Sequence, residues 1–228
     1  AICLNLASVS FDLGEVERSR DLHERALTIF AACHGPESEV VGVIAGNLGL
    51  VYSTLGNAEK SRDLQEQALH TKELCFGVDH EEVGITLSNL GCVYVSLGDT
   101  RMARKCLERS LRIKEARFGL HHPEVGITLG NLATTHRDLG DATKSRQLLE
   151  RALHIQKSNY GPDHKVIAIS KFHLAVSTCL VGERRAAIRM MEDVLRMFMN
   201  CFGPQHSFTE QALQGLMEWR RWWDPRDW

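Results

Sequence analysis

The sequence lacks long hydrophobic runs, has few prolines and carries no excess of one charge. Its 228 residues include 27 Lys and Arg against 29 Asp and Glu, for a formal net charge of −2, and only 5 prolines. No apolar stretch approaches the length of a membrane span, and no signal peptide is recognisable. A balanced charge gives no electrostatic reason to expect nucleic acid or an anionic membrane as a partner. We therefore predict that the chain binds neither.

The sequence also lacks the short motifs that mark common enzymes and metal sites. It has no GxxxxGK[ST] or GxGxxG loop and no CxxC pair among its 7 cysteines. Singly spaced cysteines favour buried or half-buried free thiols over a disulfide framework, and a reducing compartment. We predict that the chain is not an enzyme, holds no metal or cofactor, and is cytoplasmic.

What the sequence does contain is a repeat with a period of 42 residues. Glycine, asparagine and leucine positions keep this interval along the chain, which chance does not maintain at so many positions. Two series consist of glycines and one of asparagines, with His173 in the fifth place of the last. The three series are Gly14, Gly56, Gly98, Gly140 and Gly182; Gly35, Gly77, Gly119, Gly161 and Gly203; and Asn5, Asn47, Asn89 and Asn131. We expect the glycines of both series to stand at turns whose backbone conformation requires glycine.

One unit illustrates the helical hairpin that the repeat predicts. Apolar residues recur at steps of three and four over residues 41–55, which indicates a first helix. Gly56 follows at the position where a left-handed backbone ends a helix. A second helix is predicted over residues 58–75, with a buried stripe of Ser61, Leu64, Ala68 and Leu69. Such a hairpin cannot bury its apolar face alone, so we expect successive hairpins to stack.

The histidines that come once per repeat are predicted to begin helices. His122 precedes Pro123, a residue preferred at the first helical position, so His122 is placed at the N-cap. Stacked hairpins separate equivalent residues by about 10 Å, whereas nitrogen ligands lie about 2 Å from a shared metal ion. We therefore interpret these residues as caps and not as a metal site. The equivalent positions are Ser38, His80, His164 and His206.

The repeat predicts an all-α fold and one domain over residues 1–228. A partial first repeat covers residues 1–37, and full repeats cover 38–79, 80–121, 122–163 and 164–205. Residues 206–228 are predicted to form a capping helix and a tryptophan-rich tail.

The repeated motifs resemble those of a known family. The pattern N-L-G-x-V-Y-x-x-L-G-(N/D) at residues 47–57 and 89–99, with E-x-(A/S)-L at 66–69 and 108–111, resembles the tetratricopeptide repeat. The 42-residue period with F-G-x-x-H between hairpins is similar to the long-repeat variety of kinesin light chains and nephrocystin-3-type proteins. The resemblance covers almost the whole chain. It implies a right-handed superhelical solenoid of antiparallel helix pairs, a concave face lined by the first helices, and a role as a protein-binding adaptor or scaffold.

Three rows of residues are predicted to face this groove. Asparagines offer a donor and an acceptor to a peptide backbone, valines and isoleucines offer apolar area, and small residues leave space for a ligand side chain. Residues at steps of four and three along a first helix share this face. The predicted peptide-binding residues are Asn5, Val43, Asn47, Leu50, Ile85, Ser88, Asn89, Cys92, Ile127, Asn131, Thr134 and Ile169.

The asparagine row has a second interpretation, in which each asparagine bridges adjacent first helices and has only a structural role. In the resembled family, some members bind acidic tails through asparagines together with Lys or Arg on the inner face. Here the position four residues before the asparagine position is always apolar, so we expect a ligand with apolar anchors, either extended or helical. These apolar residues are Val43, Ile85, Ile127 and Ile169.

The C-terminal segment carries all 4 tryptophans of the chain. In one interpretation they cover the core of the last hairpin. In the other they form an exposed aromatic patch that joins the chain to a second copy. The predicted function is therefore binding of a partner's peptide or helix in the groove, and the alternative is a homo-oligomer assembled through the repeat edges and this tail. The tryptophans are Trp219, Trp222, Trp223 and Trp228.

Overall fold

The computed structural model describes residues 2–162 and 164–221 of the chain. Within these residues every regular element is an α-helix, which confirms the predicted all-α fold. The helices follow one another as antiparallel pairs joined by short turns. They are divided between two compact units, Ala1–Gly119 and Leu120–Trp228.

The first unit consists of three helical hairpins. In each hairpin a shorter first helix packs against a longer second helix, and within this unit the second helices of the first two hairpins also pack against the first helix of the next hairpin. The first helices are α1 (Ile2–Asp12), α3 (Glu39–Thr54) and α5 (Glu81–Ser96), and the second helices are α2 (Val16–His34), α4 (Ala58–Phe76) and α6 (Thr100–Phe118).

The second unit contains two hairpins followed by one further helix. Its last helix has the repeat register of a first helix, packs against the preceding second helix, and occupies the residues predicted to cap the array. The first helices are α7 (Pro123–Asp138), α9 (Lys165–Leu180) and α11 (Ser207–Arg221), and the second helices are α8 (Ala142–Asn159) and α10 (Arg184–Phe202).

Each turn inside a hairpin combines a glycine with a helix-capping residue. Gly98 has a φ of +77°, and the Asp99 backbone N–H donates to the Tyr94 carbonyl at 2.9 Å, which closes α5. The Asp99 carboxylate then accepts from the Met102 backbone N–H at 3.0 Å and begins α6. The predicted glycine turn is therefore confirmed, and three residues separate the two helices.

The glycines between hairpins follow the prediction with one exception. Gly77 has φ 87° and ψ 159°, a region that essentially only glycine adopts. Gly161 stands at an equivalent repeat position but does not have a positive φ. There α8 ends one residue earlier, with Tyr160 in extended conformation as its C-cap. The expectation that backbone conformation requires glycine at every one of these positions is thus wrong for Gly161.

The predicted histidine caps are present and are reinforced by aromatic stacking. His80 Nδ1 accepts from the Glu82 backbone N–H at 3.3 Å, and the ring lies 4.7 Å from that of Phe76. His122 and His164 accept in the same way at 3.2 and 3.3 Å. Ser38 also stands at an N-cap, but its hydroxyl donates to the Gly35 carbonyl instead. Each histidine ring therefore satisfies a backbone N–H that the first turn leaves without a helical partner.

The buried stripe of the second helix differs from the prediction. On α4, Ser61 and Ala68 are buried as expected, but Leu64 and Leu69 are only half-buried. The reason is the close approach of α3, since a Cβ on Gly49 would lie 2.8 Å from the side chain of Gln65. So tight an interface admits slim or polar side chains and moves leucines to its flanks. The buried residues of α4 are Ser61, Gln65, Ala68, Thr71 and Lys72.

Side-chain hydrogen bonds join neighbouring hairpins. Each one runs from a first helix to the second helix of the preceding hairpin. Tyr94 donates to Glu66, 28 residues earlier, at 2.5 Å, and Tyr52 donates to Glu24 across the same separation. Burial, followed by the bond to Glu66, raises the pKa of Tyr94. In α11 the equivalent residue is Arg220, which donates to Glu192. The contact is thus kept at this position although the tyrosine is replaced.

Candidate functional site

The predicted groove residues of the first unit lie on its first helices, and most of them are accessible. Asn5, on α1, is exposed. On α3 the three predicted residues are exposed, and on α5 Cys92 is exposed while Ile85 and Asn89 are half-buried. Ser88 is the exception, with 6% of its surface exposed, so it offers little area to a ligand. The exposed residues of α3 are Val43, Asn47 and Leu50.

Two of these residues line a cleft between α1 and α3. Asn47 and Leu50 stand on its α3 wall, and the cleft encloses about 190 Å³. We call it the α1–α3 cleft. Its other lining residues are Ser8, Phe11, Asp12, His23 and Val51.

The floor of the α1–α3 cleft holds a buried acceptor that is not among the predicted residues. His23 on α2 is 2% exposed, and its Nδ1–H donates to the Ser19 carbonyl at 2.9 Å. The Nε2 atom of the neutral ring is therefore an acceptor, and no donor among the described residues bonds to it. Burial lowers the pKa of His23, which favours this neutral form.

The second unit brings four predicted residues together in one cleft. Ile127, Asn131 and Thr134 on α7 face Ile169 on α9 across a space of about 240 Å³. We call it the α7–α9 cleft. Gly130 lies in the same wall, where an added Cβ would meet nothing within 4 Å. The remaining lining residues are Gln156, Val166, Ser170 and His173.

His173 occupies the asparagine position of the repeat and is held neutral in this cleft. Arg137 donates to its Nδ1 at 3.2 Å, so the ring proton is on Nε2. Burial, and then the neighbouring Arg137 charge, lower the pKa of His173 to about 4. Arg137 is itself paired with the Asp138 carboxylate at 3.0 Å. The cleft therefore presents a neutral imidazole beside a compensated cation.

Gln156 forms the floor of the α7–α9 cleft from the second helix α8. It is 2% exposed, and its Oε1 has no donor among the described residues. The predicted groove residues do not include Gln156, because all of them lie on first helices. The available signal was an amide at a repeat position where the preceding units have Lys72 and Lys114.

The predicted self-association residues are mostly outside the described part of the chain. Trp219 is half-buried and packs against the core of the second unit. Trp222, Trp223 and Trp228 lie outside the described residues. On the same helix Leu216 is buried, whereas Leu213 is 42% exposed. No further described helix covers that side of α11.

The cysteines differ in exposure from the prediction. Cys33, Cys75 and Cys201 are exposed, where buried or half-buried thiols were expected, because they lie near the C-terminal ends of second helices. Cys106 is buried, and burial raises the pKa of its thiol to about 11. Over residues 2–162 and 164–221, no group of three His, Cys, Asp or Glu side chains is arranged to hold a metal ion. None of the helices in the described ranges is both long and apolar enough to span a bilayer.

The hairpins, their caps and the 42-residue register define an array of repeated helix pairs. The tetratricopeptide repeat family model matches residues 1–73, 70–116 and 124–200. The chain belongs to the tetratricopeptide repeat family. The comparison with curated proteins found no match.

Solved structures similar to this chain include kinesin light chain-like repeat proteins. A putative kinesin light chain with nearly identical repeats from Podosopora anserina is 21% identical, with a TM-score of 0.72, covering 88% of this chain and 95% of that one. BtubC (BKLC) from P. vanneervenii is 19% identical, with a TM-score of 0.73, covering 88% and 81%. The apo form of RapI is 12% identical, with a TM-score of 0.76, covering 96% and 82%. These likenesses show the fold alone.

Proposed function

We propose that the chain is a protein–protein interaction module that binds a peptide or helical segment of a partner on the exposed faces of its first helices. The observation that carries the proposal is the α7–α9 cleft, in which four groove residues predicted from the repeat line one space. Membership of a family whose proteins are generally non-catalytic interaction modules supports it. An adaptor or scaffold role in the cytoplasm follows as part of the same proposal.

The chemistry of these faces favours a ligand with neutral, apolar anchors. Val43 and Ile127 are 41% and 37% exposed on first helices, so burial of the surface that remains exposed on each contributes about 0.6–1.2 kcal/mol before ordering costs. Asn47, exposed on α3, adds a donor and an acceptor suited to a peptide backbone. Among the described residues, no Lys or Arg lines either cleft. A carboxylate-ended ligand is therefore a poor match.

The test is selection of peptides by display on the immobilised intact chain, followed by calorimetry. The double variant Asn89→Ala, Asn131→Ala should weaken the selected peptide by about tenfold or more, since each asparagine contributes hydrogen bonds of about 0.5–1.5 kcal/mol. Lys105→Ala, an exposed change on the second helix α6, is the matched control. Equal affinity for all three proteins, with unchanged circular dichroism, would refute the proposal.

A second candidate function is self-assembly through the ends of the array. Leu13, beside α1, is 71% exposed, and Leu213 and Met217 on α11 are 42% and 62% exposed. Exposed apolar side chains at terminal repeats suit contact with another copy. Light-scattering mass over a concentration series, for the intact chain and for one ending at Asp224, tests this. A monomer in both cases rejects it, and a dimer lost on truncation assigns assembly to the tail.

A further inference from the structure

The floor of the α7–α9 cleft carries a polar group that the described fold does not satisfy. Buried side-chain amides in folded proteins almost always have hydrogen-bond partners, because an unpaired one destabilises the native state. Gln156 is nevertheless buried at 2% exposure, with Oε1 unpaired by any described donor, and it lines an open space of about 240 Å³. A partner for this oxygen can therefore come from the cleft.

The equivalent position in the first unit is closed by an ion pair. Lys72 Nζ donates to Glu82 Oε2 at 2.8 Å and to Thr86 Oγ1 at 3.1 Å. In the second unit the lysine is replaced by Gln156 and the glutamate by Val166. The cation and its carboxylate are thus lost together. What remains is an uncharged amide, with Val166 at the position of the glutamate and Ser170 at the position of Thr86.

His173 is a second polar residue of the cleft, and its neutral ring is a hydrogen-bond donor. His173 lines the cleft with its ring proton on Nε2, because Nδ1 accepts from Arg137. Arg137 is paired with Asp138, so it contributes little net charge. Gln156, with its unpaired Oε1, and His173, with its proton on Nε2, therefore line the same cleft as the apolar side chains of Ile127 and Ile169.

We infer that the α7–α9 cleft is a subsite for an uncharged carboxamide of the ligand, either the side chain of Asn or Gln or a backbone peptide group. A carboxamide carries one N–H donor for Gln156 and one carbonyl acceptor for His173 on a small frame. A carboxylate has no donor and would place its charge against the Gln156 oxygen. The inference rests on the proposed function, because it assigns one contact of the partner's peptide.

The experiment uses nuclear magnetic resonance of the intact chain labelled with ¹⁵N and on isoleucine methyls. Butyramide imitates a glutamine side chain, N-methylacetamide a backbone peptide group, and butyrate the charged counterpart. Butyramide or N-methylacetamide should shift the Gln156 side-chain amide and the Ile127 and Ile169 methyls saturably, and butyrate should shift them at least about tenfold more weakly. The stronger of the two amides identifies the source of the carboxamide.

Two variants of helix α8 complete the design. Gln156→Met keeps the length of the side chain but removes its amide, and should abolish the saturable shifts of the isoleucine methyls. Gln147→Met changes an exposed residue of the same helix and should leave them unchanged. If Gln156→Met fails to fold, the comparison of butyramide with butyrate on the unaltered chain still decides. Equal response to the two probes, or no saturable shift, would overturn the inference.

The failure of this inference is distinguishable from failure of the proposed function. Display-selected peptides that bind while neither amide probe shifts Gln156 would leave the interaction module standing and reject the carboxamide subsite. Saturable binding of butyramide, with no peptide selected by display, would support the carboxamide subsite and reject the interaction module.

Discussion

Gly77 and Gly161 provide a matched pair for testing how backbone conformation stabilises the array. They occupy the same repeat position between hairpins, and an added Cβ would meet nothing within 4 Å at either one. They differ in backbone conformation, since Gly77 has φ 87° and ψ 159° whereas Gly161 does not have a positive φ. Gly77→Ala and Gly161→Ala therefore separate backbone strain from steric clash.

The structure gives the expected difference in the free energy of unfolding. An alanine forced into the conformation of Gly77 costs about 1–3 kcal/mol. Loss of glycine's freedom in the unfolded chain stabilises either variant by about 0.4–1 kcal/mol, and this common effect cancels in the comparison. Gly77→Ala should therefore unfold more easily than Gly161→Ala by about 1–3 kcal/mol. For a chain of this length each kcal/mol lowers the melting temperature by about 2–4 °C.

Urea titration and thermal melting followed by circular dichroism measure both variants beside the unaltered chain. We expect Gly161→Ala to be as stable as the unaltered chain or slightly more so, and Gly77→Ala to be clearly less stable. Two variants of equal stability, or a less stable Gly161→Ala, would refute the assignment of strain to Gly77.

Three further predictions concern a turn, a tie between hairpins and a buried histidine. Gly98→Val should lower the free energy of unfolding by about 1 kcal/mol or more in urea titration, because a β-branched residue resists a positive φ. Tyr94→Phe should cost about 1.5–3 kcal/mol in the same assay, since it removes the hydrogen bond to the Glu66 carboxylate. His173 has a native pKa of about 4, below its ordinary 6.5, so the unfolded chain binds the proton more tightly and stability falls as pH drops from about 6.5 to about 4. His173→Asn, which restores the residue of the other repeats, should reduce this loss by about 3 kcal/mol in melting experiments across that range.

Each of these predictions has an outcome that contradicts it. An unchanged melting temperature for Gly98→Val would show that the turn is wrongly placed. A Tyr94→Phe variant as stable as the parent would mean that packing of the ring, and not its hydroxyl, ties the hairpins. Parallel pH profiles for the parent and His173→Asn would exclude the buried imidazole as a source of acid sensitivity.

Features that depend on a few neighbouring residues in the chain could be predicted from the sequence. Features that depend on how closely two helices pack could not. Gly98 and the His80 cap depend on a few neighbouring residues, so composition and spacing were sufficient. Burial of Gln65 in place of Leu64 depends on how closely α4 approaches Gly49 on another helix. No periodicity within α4 carries that information.

The candidate site likewise contains residues that the sequence predicts and one residue that only the structure reveals. The 42-residue register identified the α7 residues Ile127 and Asn131, because equivalent positions share a face in every hairpin. Gln156 comes from a second helix and becomes part of the site only where the neighbouring helices leave a cleft. The sequence shows that Gln156 and Val166 replace Lys72 and Glu82 of the first unit. Only the structure shows that Lys72 and Glu82 form an ion pair, so only the structure shows that an ion pair is lost in the second unit.

The measurement that tests the interaction proposal most directly is methyl nuclear magnetic resonance of the intact chain with a display-selected peptide. Ile85, Ile127 and Ile169 lie on first-helix faces, whereas Ile113 and Ile155 are buried in second helices and serve as internal controls. Binding on the first-helix faces predicts saturable shifts confined to the first group. Shifts confined to the second group, or to neither group while the peptide remains bound, would contradict the proposed function.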